Sequence, residues 1–332
     1  MNPNGFPVRV MTFDSDCSGP TVGLANIHAS VPDLAENQAR IRNALACFRK
    51  HAVQLAVFPE FSLTGYFWKD EKSCRPYMES ATLDHQQAFI EETVWPFLND
   101  TLQFVVLNVL RKVTDPIHPP RSFNSTLVIG KNGTGDRIQA IYNKTFLPGI
   151  EKQYTIGGEG HRLVLETPWG RIGFLICYDL CFPSLLQAYQ LVDHVDAIVL
   201  QASWRGPAIR SYPVCGLKDT HYYGHLWDTL IPAQAALSQT WFFAANAVGR
   251  HNISHDVFWG GLRDMGALRT SGPSGHKSCR RTDYSETGSH YWGATTGTPG
   301  FRLCHGFCRS RHFSTVPIRG GCRNGLLNIH AG

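Results

Sequence analysis

Long apolar runs are missing from this chain of 332 residues. No stretch reaches the roughly 18 apolar residues that a membrane-crossing helix needs, so no such helix is expected. Residues 1–20 lack the basic start and apolar stretch of a secretory signal peptide. Glycine-rich dinucleotide- and phosphate-binding fingerprints are also absent, and no internal repeat is evident. Charged residues are sparse at 17%, whereas apolar residues make up 43%, proportions that let a globular chain bury a substantial core. The expectation is a soluble, cytoplasmic protein of one large or two ordinary domains.

The formal net charge of +5 is unevenly placed. Residues 1–261 hold 21 Lys and Arg against 23 Asp and Glu, whereas residues 262–332 hold 10 against 3. The body is therefore slightly acidic and has no basic stripe, which argues against nucleic acid as a partner. Ten cysteines are present. Those in the body lack framework spacing and read as reduced thiols. In the tail, Cys304, His305, Cys308, His312 and Cys322 suggest zinc, but no second pair has orthodox spacing, so no metal site is assigned.

Apolar periodicity places strands near 21–28, 55–58, 102–110, 197–201 and 241–245. Helices are expected near 33–52, 83–98, 185–191 and 227–238. Asn132-Gly133 between two β-like runs predicts one hairpin. Pro168-Trp169-Gly170 between 163–166 and 171–176 predicts another. Strands with helices between them define an α/β class. Beyond Gly260-Gly261 the periodicity collapses into Gly, Arg, Ser and Thr, a composition that suits loops or disorder better than a sheet. The domains expected are thus an N-terminal extension over 1–20, a body over 21–261, and an atypical basic tail over 262–332. The tail is expected to be poorly ordered or the product of a shifted reading frame in a GC-rich gene.

Three short segments carry the chemistry: Phe58-Pro59-Glu60 running into Leu63-Thr64-Gly65-Tyr66, then Tyr142-Asn143-Lys144, then Gly173-Phe174-Leu175-Ile176-Cys177-Tyr178-Asp179. Each puts one reactive side chain beyond a β-like run, where sites in α/β proteins gather. A thiol, a carboxylate and an ammonium are the parts needed to hydrolyse an amide through a covalent thioester. Singly, each has a plainer reading: a structural thiol, a solvated strand-end carboxylate, a surface lysine. In this order and with these neighbours, the segments resemble the nitrilase superfamily of carbon–nitrogen hydrolases.

That resemblance implies a four-layer α-β-β-α sandwich. It implies Cys177 as nucleophile, Glu60 as general base, Lys144 as oxyanion stabiliser, and the Tyr178 backbone N–H as a second oxyanion donor. Glu151 matches a second Glu that supports the lysine, against a reading as a loop carboxylate. Tyr66, Tyr178 and Trp204 either line the pocket or pack in the core. Cofactors and metals are not required. The expected partner is a small-molecule amide, with homodimers or larger homo-oligomers if the C-terminus permits.

Tyr178-Asp179 after the cysteine resembles the amidase and carbamoyl-hydrolase branches, whereas nitrilases generally show Trp-Glu there. The expected activity is amidohydrolysis of a small amide or N-carbamoyl compound. Nitrile hydrolysis and a catalytically impaired interaction protein are the alternatives. Two departures stand out. The usual Arg-Phe-Pro-Glu reads Cys181-Phe182-Pro183-Ser184, and the usual Ala-Arg-Ala-x-Glu-Asn reads Ala233-Gln234-Ala235-Ala236-Leu237-Ser238. After Phe258-Trp259-Gly260-Gly261, the Ser and Pro-x-Gly turn common in the superfamily do not follow.

Overall fold

The computed structural model describes residues 8–12, 19–66, 71–113, 121–131, 137–206, 208–259 and 325–331. One sheet is built from β1 (Val8–Thr12), β2 (Val22–Ile27), β3 (Leu55–Val57), β4 (Phe104–Lys112), β5 (Ser122–Lys131), β6 (Arg137–Asn143), the short β7 (Thr155–Ile156) and the C-terminal β14 (Gly325–Ala331). Its order is β1-β14-β2-β3-β4-β5-β6, with β7 pairing to β5. The second sheet, in the order β13-β10-β9-β8, uses β8 (Val164–Thr167), β9 (Gly170–Ile176), β10 (Ala197–Ala202) and β13 (Trp241–Asn246). A small hairpin, β11 (Arg210–Tyr212) with β12 (Leu217–Asp219), stands apart.

Side-chain alternation along the strands separates three apolar layers. Leu24, Val106, Phe174, Val199 and Phe243 meet between the two sheets. Their neighbours along the first sheet, Ala25, Ile27, Val105 and Leu107, point the other way. That outer face is covered by α1 (Leu34–Lys50) and by a helical run of α3 (Leu83–Phe89), a π turn (Ile90–Val94) and α4 (Trp95–Phe97). On the second sheet, Leu175, Ile198, Leu200 and Phe242 face α5 (Pro183–Leu191) and α6 (Tyr222–Ser238). The result is the α-β-β-α sandwich, its central strands buried on both faces.

Local rules account for the element ends. Asp33 caps α1, its Oδ1 accepting from the Glu36 N–H at 2.9 Å. Ile41, Ala44, Leu45 and Phe48 give α1 its buried stripe. Pro59 closes β3 two residues after its last paired position. Gly65 adopts φ +79°, and a Cβ there would come within 2.1 Å of Val31, so a side chain is excluded both by conformation and by space.

The expected elements of the body are all found, with ends shifted by a few residues. Pro76 lies within α2 (Glu71–Ser80), a helix not expected from sequence, and α6 begins at Tyr222, ahead of the expected start at Trp227. Two strands arise where composition gave no reason to expect them. Val8–Thr12 falls in the stretch set aside as an N-terminal extension. Gly325–Ala331, in the tail read as unsuited to a sheet, lies between β1 and β2, antiparallel to the first and parallel to the second. Its seven residues include enough β-formers to pair, but Gly- and Arg-rich surroundings dilute the signal. Residues 260–324, including Cys304, His305, Cys308, His312 and Cys322, lie outside the described residues. Among the described residues, no helix is long and apolar enough to cross a membrane.

Candidate active site

Strand direction brings the reactive residues together. β2, β3 and β4 run parallel, and β6 is antiparallel to β5, which is antiparallel to β4. β6 therefore runs with β3, and Glu60 and Lys144 both follow the C-terminal ends of like-directed strands. In the facing sheet β9, β10 and β13 are parallel. Cys177 follows β9 and Ser203 follows β10. The two sheets join end to end here, because the Ser203 N–H donates to Glu60 Oε2 at 2.9 Å and the Ser203 hydroxyl donates to the Glu60 carbonyl at 2.7 Å.

Lys144 is wholly buried, as are Glu60 and Glu151 to within 1%. Its Nζ donates to Glu60 Oε1 at 2.7 Å and to Glu151 Oε2 at 2.5 Å. Burial works to lower the lysine pKa, but Glu151 and Glu60 outweigh it, so the net direction is upward and the ammonium holds its proton. Glu151 is pushed up to about 7, chiefly by burial, with Lys144 opposing and Glu60 reinforcing. Its backbone lies in the 3-10 turn Glu151–Gln153. The Lys144 carbonyl accepts from the Gly158 N–H at 2.7 Å; a Cβ at Gly158 would lie 2.7 Å from the Asn143 carbonyl, which explains the glycine.

Cys177 opens the 3-10 turn Cys177–Cys181 with φ +48°, in the left-handed region that costs a residue with a Cβ about 1–3 kcal/mol. Asp179 holds that turn. It is fully buried and accepts from the Tyr142 hydroxyl at 2.7 Å, the Phe146 N–H at 2.8 Å and the Ile176 N–H at 3.0 Å. Burial pushes Asp179 up to about 6 while the Phe146 N–H draws it back. The cysteine turn is thus tied to the chain on both sides of Lys144.

Burial raises the Cys177 thiol well above its ordinary value; Glu60 adds to this, and Lys144 and the Ser203 N–H offset part of it. An acid with a raised pKa keeps its proton at neutral pH, so the sulfur becomes nucleophilic only as a base takes that proton. We expect the ultraviolet difference spectrum between wild type and Cys177→Ala to show no thiolate band at neutral pH, and one that grows only in alkaline solution. A thiolate band at neutral pH contradicts this.

The remaining expected site residues divide. Tyr66 is buried with Phe61 and Tyr154, and its hydroxyl pKa is raised by burial and then by Glu151, which places it at the wall of the carboxylate cluster. Tyr178 is 38% exposed, next in the chain to Cys177, its ring edge-on to Phe182. Trp204 is not brought to the carboxylates: its ring packs edge-on against Trp227 and Tyr223 in the layer beneath α6, a layer that Cys177 also borders. Asn108, Asn124 and Ser203 were not singled out by sequence, and Asp179 was read there only as a mark of the branch. Their signal was faint: isolated polar residues in runs otherwise fit for burial. Among the described residues, no group of three His, Cys, Asp or Glu side chains is placed to hold a metal ion.

Known proteins give the family of the chain. The family model for carbon-nitrogen hydrolases matches residues 21–293, past the break drawn at 261, and the chain belongs to that family. Among curated proteins it is similar to the nitrilase and fragile histidine triad fusion protein NitFhit of Caenorhabditis elegans, 31% identical over 147 residues (42% of this chain, 29% of that protein). It is also similar to the deaminated glutathione amidase of Yersinia enterocolitica, 36% identical over 100 residues (30% of this chain, 29% of that protein). In both cases the match spans less than two thirds of the relative's length. In fold the chain resembles an amidase from Nesterenkonia sp., with a TM-score of 0.56 and 20% identity, covering 73% of this chain and 81% of that one.

Proposed function

We propose that this chain is an amidohydrolase that cleaves the C–N bond of a small amide or N-carbamoyl compound through a thioester on Cys177, releasing ammonia or an amine. The observation that carries this reading is the buried ammonium of Lys144 held between two carboxylates, Glu60 and Glu151, at the strand ends of one sheet, with the Cys177 turn emerging from a strand end of the facing sheet. In the first stage the Cys177 S–H bond breaks, Glu60 takes the proton, and the sulfur electron pair attacks the amide carbon. Lys144 and the Tyr178 N–H stabilise the oxyanion. Glu60 then returns the proton to the departing nitrogen. In the second stage Glu60 takes a proton from water, the resulting hydroxide attacks the thioester carbon, and the C–S bond breaks with the proton passing back to sulfur.

Glu151 keeps Lys144 in place, and Tyr66 bounds the acyl group in this reading. Trp204 acts at most from beneath the site. The free thiols Cys177, Cys181 and Cys215 suit a reducing cytoplasm. Assembly as a homodimer or larger is part of the same proposal.

Amides are expected to be turned over faster than nitriles, because Tyr178-Asp179 follows the nucleophile. In the fold, Asp179 binds Tyr142 and the Phe146 N–H, so this residue sets where the cysteine turn sits relative to Lys144. Comparing kcat/KM for an amide and a nitrile of the same carbon skeleton tests the assignment. A clear preference for the nitrile reverses it, and a panel including N-carbamoyl amino acids then identifies the acyl class.

A further inference from the structure

The two carboxylate oxygens of Glu60 are held differently. Oε1 accepts from Lys144 Nζ at 2.7 Å and from Asn124 Nδ2 at 2.9 Å. Oε2 accepts from the Ser203 N–H at 2.9 Å, and Ser203 follows β10, the strand paired beside β9, which Cys177 follows. Asn124 Nδ2 donates in addition to Glu151 Oε1 at 2.7 Å, so both its hydrogens are committed to carboxylates.

The orientation of Asn124 is fixed from both ends by groups that have no choice. At the far end the Phe61 backbone N–H, which can only donate, reaches Asn108 Oδ1 at 2.8 Å. Asn108 Nδ2 is thereby turned to donate to Asn124 Oδ1 at 2.8 Å. Asn124 must then present its Nδ2, and it meets two carboxylates that, when ionised, can only accept. Phe61 has φ +52°, so the residue directly after Glu60 is itself held in a costly conformation, with its N–H in this chain of bonds. Asn108 and Asn124 are both fully buried.

We propose that Asn124, steered by Asn108, is a positioning residue that orients Glu60 toward Cys177: with Oε1 filled by Asn124 and Lys144, Oε2 is the oxygen left to take the thiol proton. This rests on Glu60 being the base, as in the reaction above. The proton leaves Cys177 Sγ for Glu60 Oε2, and the electron pair stays on sulfur. Asn124 touches neither the substrate nor the reacting sulfur. It acts by holding two carboxylates that otherwise repel each other in one arrangement around Lys144.

The test is Asn124→Ala, with Asn108→Ala as a milder second variant that leaves both carboxylate contacts chemically possible. The Asn124 N–H works to hold Glu151 down. Removing it should move the Glu151 carboxyl titration upward by about one pH unit, since a lost hydrogen bond to a charged group weighs about that much. Glutamate labelled with carbon-13 at the carboxyl carbon reads this by NMR, with Glu151→Gln identifying the signal. Over the same series kcat for the amide should fall about 100-fold, the scale of a misdirected base. KM should stay within about threefold, and Tm should change little. Asn108→Ala should shift both readouts in the same direction by less. An unmoved titration in Asn124→Ala overturns the proposal, as does a loss confined to KM or to Tm. If Asn124→Ala does not fold, the Asn108→Ala titration decides by the same criterion. If wild type hydrolyses no amide, the proposed function fails on its own, while the NMR titration still decides the role of Asn124.

Discussion

Cys177→Ala is expected to abolish hydrolysis while leaving the fold intact. The side chain is small and sits at a strand end, so replacing its sulfur by hydrogen opens little space. The cysteine turn is held by Asp179 and its three donors, none of which involves the thiol. What is lost is the only group in the cluster able to form the thioester. Cys181→Ala is the paired control. Cys181 lies four residues on, at the far end of the same 3-10 turn, and its thiol is raised to about 11, chiefly by burial and then by Asp179. Asp179, the carboxylate that acts on it, is already committed to three donors, and the Cys181→Ala variant should keep substantial activity. A thiol-directed substrate analogue followed by mass spectrometry should find the adduct on Cys177. An adduct on Cys181, or full activity in Cys177→Ala, removes Cys177 from the mechanism.

Much of the site was legible because Glu60, Lys144 and Cys177 each close a short apolar run with a compact local pattern. Their convergence depends only on strand direction, which an α/β order already implies. Glu151, in a turn seven residues after Lys144, closes no apolar run and was reachable only through the family resemblance. Asn108 and Asn124 were not. Asn108 is a single polar residue in the β4 run, and its meaning depends on the β4–β5 register, which sets Asn108 opposite Thr126 and Asn124 opposite Leu110. The two amides are diagonal neighbours across two strands, a relation no single strand displays. Trp204 shows the complementary limit. Its place beside the motifs left pocket wall and core packing both open, and the ring packs edge-on with Trp227 in a layer that Cys177 also borders. Adjacent residues in extended chain face opposite sides, and only the packed structure assigns the sides. In the tail, the strand at Gly325–Ala331 owes its place to pairing with β1 and β2, partners some 300 residues away.

Glu60→Gln and Lys144→Ala should each lower kcat by at least about 1,000-fold, equivalent to roughly 4 kcal/mol of transition-state stabilisation. The two variants fail for different reasons. The Glu60→Gln substitution keeps the side chain's shape and an acceptor oxygen for Lys144 and Asn124, but sets an amide N–H against the Ser203 N–H, so its Tm must be measured too. Without a carboxylate, nothing takes the proton from a thiol that burial keeps protonated. Lys144→Ala instead removes the cation between two buried carboxylates. Glu60 and Glu151 are then left to repel each other, and a proton shared between them relieves the repulsion at the cost of the base. Breaking such a buried pair costs about 3–5 kcal/mol of stability, so Tm must be measured beside kcat. Lys144→Arg separates the two effects. It restores the charge and should recover part of the stability. Its planar fork does not fit a site built for an ammonium with carboxylate partners at 2.7 and 2.5 Å, so activity should stay low. A loss below about tenfold in either Glu60→Gln or Lys144→Ala shows that the cluster is a structural ion network and not the catalytic machinery, since removing a working base or oxyanion donor costs far more.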